Sequence, residues 1–156
     1  MAEKNIGAKI TLSGEKEYRN ALNDIKLAQA QLRSETKLLA TQYKDTQNTL
    51  EALEKKNEVL TKQYDLSAEK VEVCKKAVAD YTKKQGEATE KISKLEEKYK
   101  SEADTLLLMK KVYGDASDEV KKQETVVNNL GNQIEKAKSD YQSATVNIGK
   151  WTAALN

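Results

Sequence analysis

The chain reads as an all-α protein of long heptad-repeat helices preceded by one short strand. Three observations carry that reading. Apolar residues recur at alternating steps of four and three from Tyr18 to Leu155. The chain has no Pro, whose ring would cost a helix interior about 3 kcal/mol. It is 33% charged yet carries a net charge of only +2, so the periodic face lies within a balanced polar surface.

The elements follow in order. In "NIGAKITLSGEKEYRNAL", Ile6, Ala8, Ile10 and Leu12 alternate with polar residues, the period-two pattern of a strand. Residues 1–14 are therefore expected to form a short N-terminal strand or arm, and residues 15–156 a helical coiled-coil region. From Tyr18 the steps of four and three meet 40 positions, of which about 32 are apolar, roughly twice the chain average of 38%. A 3.5-residue repeat sustained this long is a coiled-coil seam. Its residues are Leu22, Ile25, Leu32, Leu39, Leu50, Leu53, Leu60, Tyr64, Val71, Val78, Ile92, Leu95, Leu106, Met109, Val120, Val127, Leu130, Ile134 and Ile148.

With Leu22 at position a, β-branched residues such as Val71, Val78 and Ile134 fall at a and leucines at d, which favours two strands in a parallel pair. Tyr43, Tyr64, Tyr99, Tyr113 and Tyr141 also fall at a, often beside small d residues. That alternation suits helices packed antiparallel within one chain. Asn57, Gln85 and Gln123 are polar seam positions able to fix register.

Two breaks are expected. Around "YKDTQNTLE", Asn48 reads as a helix cap with Glu51 three residues on. In "YGDASDE", Gly114 reads as a terminator and Asp115 or Ser117 as the next cap. The segments are then about 15–44, 48–113 and 117–156. The outer two could fold back on the middle one as two hairpins. Unbroken, the chain would instead make a rod of about 200 Å. Spacing alone does not choose.

Chemistry is sparse. There is no His, and no Ser, Cys or acidic cluster has catalytic or metal-ligand spacing, so no catalytic, cofactor or metal residue is assigned and no enzyme activity is expected. Lone Cys74 lies on the seam and reads as a buried thiol. Lys and Glu intersperse, as in "EALEKKNEVLTK", which argues against a nucleic-acid stripe. The longest apolar run, Leu106 to Met109, is far short of the roughly 20 residues of a membrane span. The N-terminus has no apolar stretch of signal-peptide length.

One resemblance is specific. "IGAKITLSGEKEYRNALNDI", then "LRSETKLLATQYKD", then "LEALEKKNEVLTKQYDLSAEKV" resembles the start of tail tape measure proteins of long-tailed phages and prophages of Gram-positive bacteria. It covers roughly residues 5–75, and the strand with "GEKEY" before the helix is its most distinctive part. The resemblance implies a virion protein in the tail tube lumen that sets tail length and templates tube assembly. It implies contacts with tail tube protein and tail assembly chaperones, and a stay in the host cytoplasm during assembly. The chain itself is a further partner if copies share the seam. Members of that family are much longer than 156 residues. This chain is thus expected to be an N-terminal part of one or a short relative, and "NIGKWTAALN" ends without a terminating cap. A generic bacterial coiled-coil spacer or interaction module is the alternative.

Overall fold

The computed structural model describes residues 14–46 and 49–155. Within them lie three helices, α1 (Glu15–Gln42), α2 (Leu50–Tyr113) and α3 (Asp118–Ala153), and no strand. Of the arm expected at residues 1–14, all but Gly14 falls outside the described residues, and so does the cap expected at Asn48.

The helix ends have local causes. Gly14 precedes α1 with φ 93°, a conformation that L side chains rarely adopt. Glu15 and Glu17 then place negative charge in the first turn, where the helix dipole favours it. α2 is capped by Thr49, whose Oγ1 accepts from the Ala52 amide at 3.3 Å. Lys110 and Lys111 complement the dipole at its far end. There Gly114, at φ 78°, donates its amide to the Lys110 carbonyl at 3.0 Å and stops the helix, as its position suggested. Ser117 then caps α3, its Oγ accepting from the Val120 amide at 3.2 Å.

The chain divides into two units. The first combines the described residues up to Asp80 with those from Lys150 on. In it α1 runs antiparallel to the first part of α2. The Tyr18 hydroxyl donates to Asp80 Oδ2, and Gln63 Nε2 donates to Thr36 Oγ1 at 3.2 Å, so rising numbers on one helix meet falling numbers on the other. The last turn of α3 joins them. Trp151 is fully buried, with its ring 5.8 Å from that of Tyr18 at 67°. Lys150 Nζ lies 2.5 Å from Glu15 Oε1. Three helices thus meet at one end of this unit.

The second unit is Tyr81–Gly149. Here α3 runs antiparallel to the later part of α2. Gln85 Nε2 donates to Thr145 Oγ1 at 2.7 Å, Glu96 pairs with Lys138 at 3.5 Å, and Lys110 pairs with Glu124 at 2.7 Å. Val120, Val127, Leu130, Ile134, Ala137 and Ala144 form the buried face of α3. The absence of a side chain at Gly131 faces a ring: a Cβ there would stand 3.8 Å from Tyr99 Cε2.

Candidate functional site

The functional residues anticipated from sequence are those of the seam, and the structure sorts them into three groups. Ile25, Leu32, Val120, Val127, Leu130 and Ile134 are buried. Leu22, Leu39, Val71, Val78, Ile92, Leu95, Leu106, Met109 and Ile148 are half-buried at helix–helix margins. The third group is largely unpacked within the chain. Leu50, Leu53, Leu60 and Tyr64 are 74%, 49%, 54% and 76% exposed.

The buried positions on that part of α2 are instead Ala52 and Val59, at 6% and 4%. They lie one residue earlier than Leu53 and Leu60. The physical reason is a second apolar row. Ala52, Val59, Leu66 and Val73 recur every seven residues, beside the row that was followed. The next step of this second row is Asp80, which receives the Tyr18 hydroxyl. That bond, together with the Tyr18–Trp151 ring contact, holds α1 over the second row. Near Val73–Cys74 and Ala77–Val78 the two rows widen into one apolar face, where α2 meets both α1 and the end of α3.

Polar seam positions behave as register pins in the second unit. Gln85 bonds Thr145, and Gln123 Nε2 donates both to the Glu102 backbone carbonyl at 3.0 Å and to Glu102 Oε2 at 2.7 Å. Asn57 is exposed and plays no such part within the chain.

A cleft of about 200 Å³ lies between the end of α1 and the start of α2, lined mainly by Leu39, Ala40, Tyr43, Ala52, Val59 and Leu60. Its walls are mostly apolar, with Thr36 and Lys56 as the polar exceptions. At its rim Tyr43 donates its hydroxyl to Glu51 at 3.0 Å. That bond to the carboxylate raises the Tyr43 pKa.

Cys74 is fully buried, and desolvation pushes its thiol pKa up, which makes it a poor nucleophile. The Glu124 carboxylate hydrogen-bonded to Lys110 raises that ammonium, and the Lys62 hydrogen bond lowers the Glu58 carboxyl. Both are surface pairs. Such solvent-screened pairs do not suggest acid–base chemistry.

Among the described residues no group of three or more His, Cys, Asp or Glu is placed to hold a metal ion, and no helix is long and apolar enough to cross a membrane. The arrangement can bind through apolar and polar helix faces, and its features are those of a packing surface. Compared with protein-family models, curated proteins and solved structures, the chain matches no family model, no curated protein and no solved structure.

Proposed function

We propose that this chain is a structural spacer of a long-tailed phage virion, the N-terminal helical part of a tail tape measure protein, and that its antiparallel helix pairs are coiled-coil hairpins. The observation that carries the reading is the opening phrase "IGAKITLSGEKEYRNALNDI" leading into an unbroken 3.5-residue row. The helices add physical support. A helix converts residue count into length at 1.5 Å per residue, so the 64 residues of α2 correspond to about 96 Å. In this reading the protein acts without catalysis, in the lumen of the tail tube, against tube subunits and assembly chaperones.

The test is deletion of whole heptads in a phage encoding the chain. Removing residues 57–77 keeps Leu53 and Val78 in phase and takes out about 30 Å of helix. Tails should shorten by that amount if the segment is extended in the tube, and by less if it stays folded back. Normal tail length after several such deletions, with the protein still incorporated, would exclude a ruler role. A second reading, a generic interaction module, is favoured by the exposed row of Leu50, Leu53, Leu60 and Tyr64. It predicts unchanged tails and loss of a binding partner when that row is made polar.

A further inference from the structure

α3 serves two units. Up to Gly149 it belongs with the later part of α2, and from Lys150 on it belongs with α1 and the earlier part of α2. The change falls at a glycine that the packing does not require. A Cβ built at Gly149 meets no heavy atom within 4 Å, whereas one at Gly131 stands 3.8 Å from the Tyr99 ring. Without a packing reason, an interior glycine only weakens its helix relative to alanine. Gly149 is therefore a place where α3 bends or unwinds readily.

The turn beyond Gly149 can leave its seat without stranding a charge or a hydrogen-bonding group. Among the described residues from Lys150 to Leu155, Trp151 alone is buried. Its indole N–H has no acceptor while the turn is docked, and it gains water when the turn leaves. Its ring contact is with Tyr18, whose hydroxyl is held separately by Asp80. Lys150 Nζ shares Glu15 Oε1 with Arg19 Nε, at 2.5 Å and 2.6 Å, so Glu15 keeps a cation when Lys150 departs. Lys150 Nζ also lies 5.1 Å from the centroid of the Trp151 ring, a contact within the turn that moves with it. α1 and α2 stay joined by the Tyr18–Asp80 and Gln63–Thr36 bonds and by the burial of Ile25 and Leu32.

We infer that residues 150–155 are a latch. The turn undocks from Tyr18 as a unit, pivoting at Gly149, while α1 and α2 stay paired and the rest of α3 stays on α2. Undocking uncovers the Tyr18 ring, and redocking buries it again. The closed state dominates because it buries Trp151. The open state is a minor one, reached by a local opening that unfolds neither helix pair. This inference stands independently of the virion role.

The experiment is hydrogen exchange of the folded chain, followed by NMR at low urea concentrations where the rate tracks the opening equilibrium. Trp151 is the one Trp of the chain, so its indole N–H is a single signal that reports the latch. The backbone amides of Ile25 and Val59, two buried residues, report the α1–α2 pair. The indole N–H should be less protected than those amides and nearly insensitive to urea, because undocking exposes little surface. Leu32→Ala should speed exchange of both amides and leave the indole unchanged, since Leu32 is buried farther along α1. Gly149→Ala should slow the indole about four- to fivefold, the factor that corresponds to the helix cost of an interior glycine. An indole that follows the urea slope of the amides, or that speeds up with them in Leu32→Ala, exchanges by unfolding of the pair and overturns the latch. An indole rate unchanged by Gly149→Ala overturns the pivot and with it the inference.

Discussion

Two adjacent residues of α2 test which row packs inside the chain. Val59 is 4% exposed and Leu60 is 54% exposed. Val59→Asp forfeits the burial of a branched side chain, about 1.5–3 kcal/mol. It also places a carboxylate in the cleft lined by Leu39, Ala40 and Ala52, whose polar groups are those of Thr36, Tyr43 and Lys56. A buried group left poorly paired adds about another 1–3 kcal/mol, so the total is about 2.5–6 kcal/mol. Leu60→Asp gives up about half of one side chain's burial, or about 1 kcal/mol, and its carboxylate stays in water. The comparison should be made by urea unfolding followed by helical circular dichroism, at a concentration low enough to keep copies apart. The midpoint should fall sharply for Val59→Asp and little for Leu60→Asp, with unchanged slopes for both. If Leu60→Asp costs as much as Val59→Asp, the assignment of the packed row is wrong, and the a/d row followed from sequence is the true intrachain seam.

Trp151 and Cys74 give the further outcomes. Trp151→Ala should cost about 3–5 kcal/mol in thermal unfolding, since it empties the junction beside Tyr18. Trp151→Phe should cost much less, because it also removes an indole N–H that has no acceptor among the described residues. Cys74 should react with a thiol reagent in step with unfolding, far more slowly than a free thiol. Its raised pKa fixes the sign of its pH effect. The folded thiol keeps its proton to higher pH than the unfolded one, so its stabilising contribution is complete below the unfolded pKa. That contribution is lost as pH rises through the folded value. Cys74→Ala should flatten this alkaline loss of stability, and a loss of the same size in the variant would assign it to other groups.

What was legible in the sequence was local. Helix ends depend on a few neighbouring residues. Gly114 and Ser117 could be read as terminator and cap because their bonds reach only three or four residues away. The all-α class and the apolar face of α3 followed from spacing, because α3 carries one dominant row. The packed row of early α2 was not legible, because two rows of seven-residue spacing lie side by side there. The larger side chains, Leu53 and Leu60, drew the reading away from Ala52 and Val59. The deciding contacts are long-range: Tyr18 reaches Asp80 and Glu15 reaches Lys150, and no local pattern announces either. Nothing in the local pattern marks Trp151, which falls on the same 3.5-residue row, as the side chain buried against Tyr18.

The polar contacts explain why each helix pair settles in one register. An apolar row alone tolerates a slide of seven residues, since it meets an equivalent row after the slide. The short turn from Gly114 to Ser117 limits such slides in the second unit, and two glutamines remove what remains. Moving α3 by one heptad in one direction sets Leu130 opposite Glu102. In the other direction it sets Lys138 opposite Gln85 and Ala116 opposite Glu102. Either slide strands a part-buried polar group, at about 1–3 kcal/mol each. The surface ion pairs Lys138–Glu96 and Lys110–Glu124 are screened by water and could re-form with other partners on so charged a surface. Register in the second unit therefore rests chiefly on Gln123, and in the first unit on the Tyr18–Asp80 bond.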